Sequence, residues 1–348
     1  MKNKLIILTL SAAALVSSCR LAPTGVNVFN KVTEVTTLDS IFADCKDELG
    51  QITDIGIYGG LLVAKHGRDE YAYSFIDVAS GRLLQRWGKI GHGPDEYLDF
   101  SGRVMIEDST LIVCESMKRC LHRLALTDIL NGADSIRSRT KPYPYVAKFR
   151  PSRFSFLKDW TFALGSFEEG RLGALDPNDS IVEVTADYPY DYGEVTGIYR
   201  GSVFQGDILS SEKQQRLVIS TFASDVFEIY QLKGKEIHRT YVSPFRYAPQ
   251  ITERRGRFSI DYDQSIAGLM HTAASNELIG FLYSSLSYTE AAKIDLASKE
   301  ILCYNWKGEK VRKYILPFAV NRLCMDEQYG YVLRYLEDKA VIYRFELK

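Results

Sequence analysis

The sequence predicts an all-β chain folded as a six-bladed β-propeller. Three observations carry this expectation. Short β-prone runs alternate with turn chemistry from residue 28 to the end, with no convincing long amphipathic helix between them. The runs group in fours, and the turn residues Gly81, Gly132, Asn178 and Gly234 recur about every 50 residues, the spacing of a four-stranded blade. Aromatic residues reach 12%, with 22 Tyr and 17 Phe, which suits strands and argues against disorder.

The first 18 residues read as a signal peptide. Lys2 and Lys4 form a positive start, and residues 5–16 are apolar but too short to span a bilayer comfortably. Val16-Ser17-Ser18-Cys19 follows. This stretch resembles a bacterial lipobox, which implies cleavage before Cys19 and acylation of its thiol. The alternative is an ordinary secretory signal that contains a cysteine. Arg20 follows with no acidic run behind it, which favours a periplasm-facing place on the outer membrane over the cell surface. Residues 19–27 are then a tether, and residues 28–348 the propeller.

The stretch FIDVASGRLLQRWGKIGHGPDEYLDF, residues 75–100, sets the pattern: strand, Ser80-Gly81 turn, strand, glycine-rich exit. Unit one places strands at 52–58, 61–65, 71–78 and 83–87. Unit two places them at 103–106, 111–114, 120–126 and 135–139. Unit three has 152–157, 160–164, 171–175 and 181–186; unit four has 203–210, 216–221, 226–232 and 236–241. Unit five has 266–272, 278–283, 301–306 and 310–316. Unit six has only 320–325, 331–335 and 340–347. Its missing outer strand is expected from residues 28–38, which closes the ring and hides the bare sheet edges.

Three segments carry a family resemblance: IDVASGRLLQRWGKIGHGPDEYL, LVISTFASDVFEIYQLKGKEIHR, and the C-terminal run from Ile301. They resemble the TolB-like six-bladed β-propeller lipoproteins of anaerobic Gram-negative bacteria, and more loosely NHL-type propellers. The specific elements are G-x-G-P-x-E-[FY] at residues 91–97 and the W-x-G turn Trp306-Lys307-Gly308. The likeness runs from about residue 50 to the end. It implies fold and location and carries over no catalytic residue.

The 43 Lys+Arg and 44 Asp+Glu give a formal charge of −1, against a nucleic-acid binder. Besides Cys19 there are five cysteines, Cys45, Cys114, Cys120, Cys303 and Cys324; an odd, irregular set is no disulfide framework. Cys114 and Cys120 flank a hairpin loop and could pair if their Cα atoms lie within about 7 Å. No CxxC or Cys/His spacing indicates a metal, so buried thiols are expected. The Gly88–Gly93 run lacks the helix a dinucleotide fingerprint needs, and no G-x-S-x-G elbow exists. No cofactor, metal or catalytic residue is expected.

The loops sort by face. Turns joining the first strand of a blade to the second, and the third to the fourth, share one face and are tight, with residues 128–133 the main longer exception. The remaining connections, at 66–70, 88–100, 165–170, 188–201, 243–263 and 284–299, share the other and are long. They carry Tyr188, Tyr190, Tyr192, Tyr199, Arg246, Tyr247, Arg254, Arg255 and Tyr288. Aromatics with arginine are favoured at interfaces and at sugar or peptide sites. The expectation is a monomeric, membrane-anchored envelope protein that binds a partner protein, peptide or glycan through this face. The alternative is a propeller hydrolase or lyase acting on cell-envelope or dietary carbohydrate.

Overall fold

A computed structural model describes residues 26–347, apart from 46–48, 68, 94–95, 133–137, 147, 179, 186, 194 and 196. Six antiparallel meanders form the blades, with strands a to d running from the channel outwards. Blade 1 is Ile52–Tyr58, Leu61–His66, Tyr71–Asp77 and Arg82–Lys89. Blade 2 is Ser101–Glu107, Thr110–Glu115, Cys120–Ala125 and Ser138–Pro142. Blade 3 is Phe149–Leu157, Trp160–Phe167, Leu172–Leu175 and Ile181–Thr185. Blade 4 is Ile208–Ser211, Arg216–Ser220, Phe227–Lys233 and Glu236–Val242. Blade 5 is Ile266–Ala274, Leu278–Ser287, Ser298–Asn305 and Lys310–Val320; blade 6 supplies Arg322–Met325, Tyr329–Tyr335 and Lys339–Glu346. The innermost strand of each blade touches that of the next, and blade 6 touches blade 1, so the ring closes.

The inner strands of the blades are buried against neighbours on both faces, and strand b of blade 1 shows why its first four residues, Leu61 to Ala64, are all apolar. Alternation along a strand sends successive side chains to opposite faces. Leu62 and Ala64 therefore enter a cluster with Leu333 and Ile342 of blade 6. Leu61 and Val63 enter another, with Leu111 and Val113 of blade 2. The other four junctions have their own clusters. Full burial of each such side chain contributes roughly 1.5–3 kcal/mol.

The N-terminus closes the ring with a different segment from the one expected. Asp39–Cys45 pairs antiparallel with Lys339–Glu346 as the fourth strand of blade 6. Within residues 28–38, only Val32–Glu34 forms a strand, and it runs parallel to Lys310–Val320 as a fifth strand of blade 5. Apolar anchors explain the path. Val35 and Leu38 pack at the junction of blades 5 and 6, whereas Ile41 and Phe42 pack at that of blades 6 and 1. An outer strand needs only such sparse apolar content, which is why the sequence signal at 39–45 is faint.

Both family elements have a physical basis. The Glu96 carboxylate folds back to accept the Gly93 N–H at 2.8 Å, and a Cβ on Gly91 would lie 1.9 Å from its Oε2. The buried Trp306 indole donates to the Ser275 carbonyl at 3.0 Å. Gly308 has φ +85°, and a Cβ there would meet the Tyr241 ring at 2.5 Å. The described cysteines Cys114, Cys120, Cys303 and Cys324 are free and buried. Cys120 stands opposite Glu115 and Cys114 opposite Leu121, so the two thiols at the hairpin are not register partners.

Candidate functional site

The channel is plugged at its centre by ions. Innermost strands bring Asp54 (blade 1), Arg103 (blade 2) and His271 (blade 5) together, with Asp207 just ahead of the first strand of blade 4. Arg103 reaches Asp207 at 2.9 Å and Asp54 at 3.5 Å, and donates to the Thr272 carbonyl. His271 Nε2 lies 2.9 Å from Asp54, and its Nδ1 faces the Leu323 N–H of blade 6. This fits a neutral imidazole that donates from Nε2 and accepts at Nδ1. Burial alone would raise the Asp54 carboxyl, but the Arg103 charge and the His271 hydrogen bond overcome it and hold it far below the usual range. Burial, with Arg103 adding to it, pushes His271 below its ordinary value. A carboxylate held ionised and a histidine held neutral, both engaged by one guanidinium, are a clamp rather than an acid–base pair.

Below the plug the channel widens into a funnel of about 450 Å³ on the tight-turn face. All six blades line it, with Glu107, Asp108, Glu212, Asp326 and Glu327 around its mouth and Arg103 in its wall. This funnel thus lies on the face whose loops are mostly short.

The long-loop face carries a cap over blades 3 to 5. It consists of residues 187–204, ending in the short helix Ile198–Val203, and residues 243–263, which contain a hairpin, Ile251–Arg254 with Arg257–Ile260. The sequence reading gave this hairpin as loop; its strands are short and largely polar. The two segments pack together through Val195, Val203 and Phe204 with Tyr188, Tyr192, Tyr199, Ile251 and Phe258. Tyr188 stacks on Phe204 and donates to the Gly170 carbonyl at 3.0 Å. Tyr192 donates to the Pro249 carbonyl, and Tyr199 meets Phe258 edge-on. These three rings build the cap from inside. Tyr190 and Tyr247 are 44% and 42% exposed. Arg246, Arg254 and Arg255 are exposed as well. Tyr288 stands apart, packed on Tyr262 at 4.3 Å.

Buried ions fasten the cap. Arg171 pairs with Glu228 at 2.6 Å and donates to the Phe204 carbonyl and Thr221 hydroxyl. Asp225 accepts the N–H groups of Arg246 and Tyr247. Burial raises the Asp225 carboxyl in spite of those bonds. Beneath the cap lies a cavity of about 280 Å³, lined by Arg153, Arg171, Tyr188, Ser202, Gln205 and Phe222. The Arg153 Nε is buried there with no hydrogen-bond partner among the described residues. Among the same residues Arg254 and Arg255 form no ion pair; Glu194 lies outside the described set. Cys19 also lies outside it.

The family of TolB-like 6-blade propeller-like proteins matches residues 31–328. The chain belongs to this family. Two solved structures are similar to this TolB-like propeller. A candidate exported protein from Bacteroides fragilis NCTC 9343 aligns at TM-score 0.56 and 12% identity, covering 90% of this chain and 95% of its own. A member of the DUF4221 family from Bacteroides vulgatus ATCC 8482 aligns at 0.53 and 13% identity, covering 90% and 98%. At these identities the likeness is one of fold. No curated protein matches the chain. Among the described residues no helix is long and apolar enough to cross a membrane.

Two predictions follow from the channel. Arg103→Ala strands Asp54 and Asp207 without a counter-ion and should cost about 3–5 kcal/mol of unfolding free energy. Adding Asp54→Asn and Asp207→Asn should recover part of that loss; denaturant unfolding of the three proteins measures both, and equal stability of Arg103→Ala and wild type refutes the clamp. The second concerns pH. Burial lowers His66 to about 4, and His271 is lowered too, so both stay neutral in the fold. The unfolded chain protonates them below about 6.5, so stability falls as pH drops from about 6.5 towards 4, by up to about 1.4 kcal/mol per pH unit for each. His66→Gln, which can keep the bond to Ser74 Oγ, should flatten part of that slope in melting curves taken between pH 7.5 and 4.5.

Proposed function

We propose that this TolB-like propeller is an exported, lipid-anchored envelope protein that binds an anionic or polyhydroxy ligand on its long-loop face. The residues assigned are Tyr190, Arg246, Tyr247, Arg254 and Arg255 on the cap surface, with Tyr188, Tyr192 and Tyr199 supporting them and Tyr288 at the margin. Arg153 joins them from the cavity below. The observation that carries the reading is the imbalance of partners on this face. Its carboxylates are engaged locally: Glu253 accepts the Gly256 N–H, Asp261 the N–H groups of Asp263 and Gln264, and Asp263 the Thr289 hydroxyl. The guanidinium groups of Arg254 and Arg255 have no ion partner among the described residues. Free guanidinium groups fork onto carboxylates, and exposed tyrosine rings stack on sugar faces. A binding role has more support than the carbohydrate hydrolase or lyase, because the one His–carboxylate pair in the channel is saturated by Arg103.

The address rests on the N-terminal sequence, and the candidate exported protein of similar fold supports export. Cys19→Ala should move the protein from the membrane to the soluble fraction in cell fractionation; unchanged membrane association would exclude the anchor.

The ligand face is tested with Arg254→Ala combined with Arg255→Ala, using polygalacturonate oligomers as the anionic glycan and dextran as the neutral one. The expected result is at least tenfold weaker polygalacturonate binding at an unchanged melting temperature. Capture that survives this change but is lost in Ala274→Trp, which fills the funnel on the opposite face, would move the site there. Loss of thermal stability with intact capture would make the two arginines a loop clamp.

A further inference from the structure

We infer that blade 2 contains a site for one zinc-class transition-metal ion, formed by Glu115, Cys120 and His122. The site is separate from the cap, the cavity and the funnel, and it does not depend on the ligand reading. Strand register builds it. Glu115 ends strand b and stands directly opposite Cys120 at the start of strand c. His122 lies two residues on, so it shares a sheet face with Cys120. All three residues are more than nine-tenths buried.

Their donor atoms converge on one point. His122 Nε2 lies 2.9 Å from Glu115 Oε2 and 3.3 Å from Cys120 Sγ, and the thiol lies 3.9 Å from the same carboxylate oxygen. A four-coordinate zinc with N or O ligands near 2.0 Å and sulfur near 2.3 Å needs donor separations of about 3.3–3.6 Å. Small side-chain adjustments meet that spacing. A nucleophilic relay would look different: the thiol and the carboxylate would sit on opposite ring nitrogens. Here both face Nε2, and Nδ1 faces the Thr140 hydroxyl at 3.0 Å.

The surrounding contacts orient each donor as outer partners do in metal sites. Thr140 is the register partner of His122 and fixes the ring from its far side. The Tyr97 ring packs edge-on against the imidazole at 5.2 Å. The other carboxylate oxygen, Oε1, accepts the Leu98 N–H at 2.8 Å and faces Lys118 Nζ at 2.8 Å, which leaves Oε2 turned to the site. Binding would exchange the thiol proton, released to solvent, for the metal–sulfur bond, and imidazole Nε2 would present its lone pair. Three protein donors leave a four-coordinate ion one position for an outside ligand. Thiolate with imidazole and one carboxylate favours zinc, cobalt or copper over magnesium or calcium.

The test uses the mature chain without a histidine tag, stripped with chelator and titrated with Co²⁺, then with Zn²⁺. The expected result is a thiolate-to-cobalt absorption band that saturates near one equivalent and is displaced by Zn²⁺. Zn²⁺ should also raise the melting temperature of the stripped protein. Cys120→Ser should abolish the band, and Glu115→Gln should weaken binding by about 10–100-fold. Absence of any cobalt band and of any zinc-dependent melting shift in the folded wild-type protein overturns the site, whatever the variants do. Undiminished binding by folded Cys120→Ser overturns it too.

Discussion

A six-bladed ring has a hole at its centre, and in this protein one guanidinium occupies it. Arg103 projects from blade 2 and touches groups of blades 1, 4 and 5, while His271 passes the connection on to blade 6. Apolar clusters join each blade only to its neighbours. The ionic plug ties blades on opposite sides of the channel to one another. Burying these charges is costly, and the geometry offsets it by leaving no member without an opposite charge or a hydrogen bond. The arrangement fixes the spacing of the innermost strands, and with it the shape of the funnel below and the seat of the cap above.

The cap shows how the same kind of fastening supports a different surface. Arg171 and Glu228 lie inside the sheet stack at the junction of blades 3 and 4, and the guanidinium also holds the carbonyl of Phe204. Phe204 is the ring on which Tyr188 and Tyr192 pack. Two segments about 40 residues apart in sequence thus share a small apolar core of their own. Their outer side is free to carry unpaired arginines without loosening the inner one.

Fold and blade count were legible because each blade is a local object. Turn residues such as Ser80-Gly81 and Lys233-Gly234, and runs such as 61–65, need no distant partner to be read. The closing strand was read one segment too early, since Ile41 and Phe42 give less signal than a buried strand does. The channel cluster was not legible. Asp54, Arg103, Asp207 and His271 come from four separate blades and meet only when the ring has closed. The cap tyrosines were found, but their direction was not: composition cannot tell that Tyr188 and Tyr192 turn inwards while Tyr190 and Tyr247 turn out. The trio in blade 2 was missed because residues 115, 120 and 122 match no helix or knuckle spacing. A signal was present all the same, since a four-residue loop between two strands places 115 opposite 120.

The course of the N-terminal segment has a mechanical consequence. The described chain enters with Val26 buried at the junction of blades 4 and 5, runs along the rim of blade 5 as Val32–Glu34, then crosses to lock blade 6 with Asp39–Cys45. Tension on the N-terminus therefore reaches first Val26 and Phe29, packed on Tyr304, then the three-residue ladder, and only then the longer one. A pull along the strand axis loads the hydrogen bonds of a ladder in shear, all at once. A pull outwards peels them singly. The upstream contacts and the short ladder would yield before the seam of the ring is loaded, so a pull on this segment need not open the propeller.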